Sequence, residues 1–225
     1  MLEIVPIRLS MVNCYLLKTG QSYALVDTGV SWRRRLLREA LDTAGCKPGD
    51  LKIILITHGD FDHTGNGAWL QRKHGVPVAI HRAEAAAVEK GKMMLSRKNQ
   101  PGRIYRALIY VMGLLVFRRF KPDLIVDEGD DLSRYDLDAR IIYIPGHSMG
   151  SIGLLTSDGG FFCGDLLTTK DGKPVKGTLV DDAAEMDASI ERLKVLDIKT
   201  VYPGHGGSFT MTEYIENNPA PPSVS

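Results

Sequence analysis

Apolar residues fall in short runs separated by turn-forming residues, the pattern of many brief strands. Leu2–Leu9, Val12–Leu17 and Tyr23–Val26 read as three opening strands, with Asn13, Gly20 and Gln21 as polar or turn breaks and Asp27-Thr28-Gly29 closing the third. From Trp32 to Ala44 the period changes. Leu36, Leu37, Ala40 and Leu41 share one helical face, and Gly45 stops the helix. Leu51–Thr57 is predicted to be a strand, and its unbroken Ile53-Ile54-Leu55-Ile56 predicts burial on both faces. A helix over Gly65–Arg72, a strand over Val76–Ile80 and a helix over Ala83–Glu89 follow. Short strands are predicted at Leu124–Val126, Arg140–Ile144, Ser151–Thr156 and Gly160–Cys163, with Asp158-Gly159-Gly160 as a hairpin turn between the last two. Ala183–Leu196 carries Ile190, Leu193 and Leu196 at helical core spacing. Thr200–Tyr202 is a last strand, and a proline-rich tail begins at Pro219. Many short strands with few helices predict an α/β protein of two sheets covered by helices, less regular than strict βαβ alternation.

The 225 residues suffice for one large domain with a full core, and 1–225 is read as a single unit. A formal charge of +1 and an apolar fraction of 44% fit a soluble globule and give no sign of nucleic-acid binding. The balance is a sum of opposites. Lys90 to Lys121 holds nine basic and no acidic residues, which leaves 19 basic against 27 acidic, or −8, elsewhere. This marks an apolar and basic helical insert at about 90–122. Cys14, Cys46 and Cys163 form no metal motif, and their odd number excludes a complete disulfide framework. Glu3 and Pro6 interrupt any early apolar run, so no signal peptide is expected. The longest apolar run, Ala107–Phe117, has 11 residues where a spanning helix needs roughly 20. A cytoplasmic location is the expectation.

Thr57-His58-Gly59-Asp60-Phe61-Asp62-His63 follows directly on the predicted buried strand and puts four potential metal ligands within six residues. A strand end opening into a tight loop can aim several side chains at one point, and imidazole with carboxylate suits zinc, iron or manganese. His147 in Pro145-Gly146-His147-Ser148, Asp165 in Cys163-Gly164-Asp165 and His205 in Pro203-Gly204-His205-Gly206 repeat one device: strand, small residue, ligand. Ser148 and Ser151 lack the context of a nucleophile. His74 and His81 are expected outside the ligand set.

These segments, with Leu25-Val26-Asp27-Thr28-Gly29, resemble the metallo-β-lactamase superfamily, whose hallmark is His-x-His-x-Asp-His. The resemblance covers nearly the whole chain. It implies a four-layer αβ/βα sandwich with one metal on His58, residue 60 and His147, a second on Asp62, His63 and His205, and Asp165 bridging both. Asp62 and Asp165 are then the candidate catalytic carboxylates. The chain departs from the family at position 60, where Asp60 stands for the second histidine. With Asp60, Asp62 and Asp165 as ligands, two dications (+4) would nearly balance three carboxylates and a hydroxide (−4). The ligand set also moves toward harder metals. The expected cofactors are two divalent ions, zinc first, with iron and manganese as alternatives.

The resemblance further implies a metal-dependent hydrolase that uses a metal-bridging hydroxide to cleave a thioester, ester or lactone. Classical β-lactamases of this fold lack the bridging aspartate, so antibiotic hydrolysis is not expected. Pro145-Gly146-His147-Ser148-Met149-Gly150-Ser151 resembles the Pro-Gly-His-Thr-Pro-Gly-Ser motif of glyoxalase II-like hydrolases. The chain ends about 20 residues after His205, which leaves a stand-alone hydrolase as the expectation. Phosphoester hydrolysis, iron-dependent oxidoreduction and a non-enzymatic metal-binding or interaction role are the alternatives. The insert's apolar run suits a buried helix with charged ends, a lid, a homodimer contact or, through residues 104–119, a peripheral membrane contact. Its basic flanks suit a small-molecule substrate that is anionic with an apolar part.

Overall fold

A computed structural model describes residues 2–93, 97–98 and 118–219. The apolar run of the insert, and with it the lid, dimer and membrane readings, lies outside the described residues. No helix among the described residues is long and apolar enough to cross a membrane.

Two sheets form the body. The first runs β1 (Leu2–Leu9), β2 (Val12–Thr19), β3 (Ser22–Val26), β4 (Leu51–Leu55), β5 (Val78–His81) and β6 (Leu124–Val126) in spatial order. Its first three strands are antiparallel, and β3 to β6 are parallel. The second sheet contains β7 (Ala139–Tyr143), β8 (Ile152–Thr156), β9 (Gly160–Gly164), β10 (Thr200–Pro203) and a short strand Phe209–Thr210, with β10 parallel to β9. The sheets face each other across Tyr15, Leu17, Val26, Ile53, Leu55, Ile141, Leu154 and Phe162. A second apolar layer joins the outer face of the first sheet to Leu37 and Leu41 of the helix Arg34–Thr43 and to Leu70. A third joins the outer face of the second sheet to Met186, Ile190 and Leu193 of the helix Ala183–Leu193. Helix, sheet, sheet, helix is the αβ/βα sandwich.

The unbroken apolar run of β4 has its explanation here. Ile54 and Ile56 enter the outer layer, Ile53 and Leu55 enter the space between the sheets, and all four are buried. Burial on both faces removes the need for alternation.

Several elements differ from the sequence reading. Asn13 does not break a strand. It lies inside β2, buried, and its Nδ2 donates to Pro203 O at 3.0 Å and Gly206 O at 2.8 Å. A residue that looks like a turn former instead ties the first sheet to the loop carrying His205. The helix expected from Trp32 opens as a 3-10 turn, Ser31–Arg33, and the one expected at Gly65–Arg72 runs over Gly67–His74, behind a separate short helix, Phe61–Thr64. The hairpin Leu167–Lys170 with Lys173–Lys176 was not foreseen, although Asp171 and Gly172 at its tip both have positive φ and carry the Asp-Gly turn signal. Also unforeseen was the helix Met211–Asn217, whose Thr210 and Glu213 form a capping box.

Candidate metal centre

Every predicted ligand sits just past a strand end or in the first turn after one. His58 follows β4, and Asp60 stands at the N-cap position of the short helix Phe61–Thr64 that carries Asp62 and His63. His147, Asp165 and His205 follow β7, β9 and β10. The loops converge. His58, His147 and Asp165 offer ligand atoms within 4.8 Å of one another, and so do Asp62, His63 and His205. Asp165 reaches across both groups. Its Oδ1 lies 3.2 Å from His63 Nε2, and its Oδ2 lies 3.3 Å from His205, 3.8 Å from His147 and 3.9 Å from His58. Gly204 makes this approach possible: a Cβ there would sit 2.5 Å from Asp165 Oδ1 and 2.7 Å from His63 Cε1.

The four imidazoles are oriented by one chemistry. His147 Nδ1 donates to Leu179 O at 2.6 Å, and His205 Nδ1 donates to Met11 O at 2.7 Å. His63 Nδ1 lies 2.8 Å from Asp27 Oδ2. Thr57 donates its hydroxyl to Asp27 Oδ2, so its Oγ1 is left to accept from His58 Nδ1 at 3.0 Å. With Nδ1–H spent outward, each Nε2 presents its lone pair inward, the tautomer a metal requires. Asp27 organises two of the four. It also accepts from Thr57 N at 2.8 Å, and it holds a left-handed φ of 58° that aspartate tolerates.

The electrostatics call for a cation. Burial opposes protonation of His63, yet Asp165, Asp27 and Asp62 hold it well above the ordinary imidazole range. His205 is likewise pushed up to about 10, against its burial, by hydrogen bonds to Asp165 and Asp62. Burial, with His63 and His147 beside it, pushes His58 down. Buried polar atoms without a hydrogen-bond partner among the described residues include His58 Nε2 and Asp60 Oδ1. Such atoms are rare in native proteins unless an ion or water completes them. The donor set, its tautomers and its unsatisfied atoms therefore fit metal ions held in two groups.

Three participants escaped the sequence reading. Glu84 was read as a helix former. It is fully buried, and its carboxylate accepts from Gly59 N at 2.8 Å, Ser148 Oγ at 2.6 Å and Gly150 N at 2.9 Å. It thereby locks together the loops bearing His58 and His147. Gly59 serves this contact, since a Cβ there would sit 2.6 Å from Glu84 Oε2. Arg97, only 9% exposed, donates from Nη2 to Asp60 Oδ2 at 2.5 Å and to His147 Nε2 at 3.1 Å. The charge balance drawn from the sequence omitted this guanidinium. Burial would raise the Asp60 carboxyl, but Arg97 and His147 hold it well below the usual range. Asp60 is in neither of the two ligand groups, yet its Oδ2 lies beside the first, 3.3 Å from His147 Nε2 and 3.7 Å from His58 Nε2. Asp27 is the third; the Asp27-Thr28-Gly29 sequence does not by itself indicate that its carboxylate serves Thr57 and His63. His81 caps the helix Arg82–Lys90 and lies 3.5 Å from Asp127; neither it nor His74 joins a ligand group. The three cysteines are buried free thiols.

An αβ/βα sandwich with histidines and aspartates converging from its strand ends defines a metallohydrolase class. Residues 7–205 match the model of the Metallo-beta-lactamase superfamily, and the chain belongs to that superfamily. It is a metal-dependent hydrolase of that fold. Acyl-coenzyme A thioesterase MBLAC2 of Bos taurus is 28% identical over 222 residues, covering 88% of this chain and 74% of that protein. Hydroxyacylglutathione hydrolase GloC of Haemophilus influenzae is 28% identical over 170 residues, covering 74% and 71%. Among solved structures, TTHA1623 in a di-iron-bound form superposes with a TM-score of 0.73 and 26% identity, covering 96% of this chain and 98% of that one.

Proposed function

We propose that this chain hydrolyses a small acyl thioester, with esters and lactones as neighbouring substrates, using two divalent ions. His58, His147 and Asp165 would hold one ion, Asp62, His63 and His205 the other, with Asp165 shared. Two such ions supply Lewis acidity for a carbonyl oxygen and lower the pKa of water toward neutrality. The chain's residues do the rest. Asp27, Thr57 and the carbonyls of Leu179 and Met11 fix the imidazole tautomers. Glu84 fixes the spacing of two ligand loops.

The observation that carries this reading is the inward Nε2 of four histidines around one carboxylate, Asp165, that reaches all of them, with Asp62 beside His63 and His205. The acyl preference rests on two supports. The relatives named above carry thioesterase and hydroxyacylglutathione hydrolase names. Apolar side chains also rim the ligands. Met11 is 73% exposed beside His205, and Leu179 is 60% exposed beside His147. Trp32, 56% exposed, stacks on Phe61 between Asp60 and Asp62. An acyl chain has apolar surface to lie on there. The excess of basic residues between Lys90 and Lys121 favours an anionic carrier.

A substrate panel tests this. Acyl thioesters, esters, lactones and phosphodiesters are each offered to the protein loaded with zinc, iron or manganese. Thioester turnover that chelation abolishes is expected. Phosphodiester turnover alone would overturn the acyl reading, and iron-dependent oxygen consumption without hydrolysis would replace it with oxidoreduction.

A further inference from the structure

Position 60 is where the chain leaves its family, and Arg97 is where the insert enters the site. We propose that these two departures are one device: Asp60 anchors the Arg97 guanidinium instead of ligating a metal, so that a fixed cation stands where the family places an imidazole. This rests on the two-metal reading above.

Four observations support it. First, Asp60 Oδ2 spends itself on Arg97 Nη2 at 2.5 Å, a charge-assisted bond between two buried groups. An imidazole at position 60 could not make this pairing, because it carries no compensating negative charge. Second, three ligand types converge without Asp60: the ligand atoms of His58, His147 and Asp165 lie within 4.8 Å of one another. Three protein ligands leave an open position, the arrangement of a catalytic rather than a closed structural site. Third, the same Nη2 donates to His147 Nε2 at 3.1 Å, the lone pair that a first-site metal would need. Arg97 and that metal therefore contend for one atom. Fourth, the neighbouring residue is also tied to the cleft wall. Lys98 N donates to Asp181 Oδ2 at 2.5 Å, and Lys98 Nζ donates to Asp182 Oδ2 at 2.6 Å, two and three residues beyond Leu179, which orients His147. Residues 97 and 98 thus grip the site at two points. Asp60 acts through Arg97 as a positioning residue. Its Oδ1, which has no partner among the described residues, is the atom through which metal ligation would compete.

Metal binding gives a readout independent of turnover. Chelator-treated wild type, Asp60→Asn, Arg97→Met and the double variant are titrated with zinc against a chromophoric competitor. With Arg97 present, Asp60→Asn should leave two ions bound and change the weaker dissociation constant by less than about threefold. In the Arg97→Met background the released carboxylate should become a ligand, so that Asp60→Asn there weakens the first site by about tenfold or more. A loss of tenfold or more from Asp60→Asn in the presence of Arg97, or equal losses in both backgrounds, would overturn the assignment. Because a variant could fail to fold, the crystal structure of the metal-loaded wild type decides independently. Asp60 Oδ2 should remain on Arg97, whereas an Asp60 oxygen at about 2.0–2.2 Å from a metal overturns the proposal. Wild type that binds no metal overturns the two-metal reading and this assignment together, whereas two metals with one on Asp60 overturn the assignment alone.

Discussion

Replacing Asp165 with asparagine is expected to keep the fold and to lower kcat/KM by about a thousandfold, roughly 4 kcal/mol of transition-state stabilisation. The reason is geometric. One carboxylate lies within 3.2–3.9 Å of the Nε2 atoms of all four histidines, with Oδ1 against His63 and Oδ2 against His205, His147 and His58. Asparagine has nearly the same volume, so Gly204 still accommodates it. It carries no charge, however, and one of its two terminal atoms becomes a donor that cannot ligate. A shared ligand is lost from both groups at once, and with it control of the distance between them. The checks are steady-state kinetics, metal content and circular dichroism on one preparation. Unchanged kcat/KM with two bound metals would show that Asp165 is not the shared ligand.

The second large effect is expected at Glu84, which bonds the residues next to His58 and His147. Glu84→Gln should lower the melting temperature by about 10 °C and weaken metal binding at the His58–His147 group by about 10–100-fold. Three buried donors, Gly59 N, Ser148 Oγ and Gly150 N, converge on this carboxylate. A glutamine has one acceptor oxygen, so its NH2 must face a donor. A buried donor left unpaired costs about 1–3 kcal/mol, and loss of charge assistance on the other bonds adds to that. The loops bearing His58 and His147 are then free to separate. Calorimetry and zinc titration read the two effects. A variant that melts like wild type and binds zinc equally well would show that the loops hold their spacing without Glu84.

How much of this was written in the sequence depends on the range of the interaction. The candidate ligands were legible because His147, Asp165 and His205 each follow a strand through a small residue and the other four crowd one loop after a strand, and strand ends can be found from local apolar runs. The buried strand Leu51–Leu55 was legible because a run without alternation requires two covered faces. Arg97 was not. Its partner Asp60 lies 37 residues away, and within its own segment it looks like one of nine basic residues. Glu84 was hidden for the opposite reason. Its local preference for helix is correct, since it lies in Arg82–Lys90, but that preference says nothing of its burial against Gly59 and Gly150. Asn13 misled, because a polar residue between apolar ones looks like an interruption unless its acceptors, Pro203 O and Gly206 O, are known. The shorter hairpin and the last helix did carry local signals, the Asp171-Gly172 turn and the Thr210–Glu213 capping box, in segments with few apolar residues.

The most direct test of the two-metal hydrolase is a titration of chelator-treated protein with zinc or iron in which bound metal and acyl-thioester turnover are followed on the same sample. The expected result is no turnover without metal and a maximum reached at two ions per chain. Full turnover of the metal-free protein, or two bound ions with no hydrolysis of any acyl substrate, would contradict it.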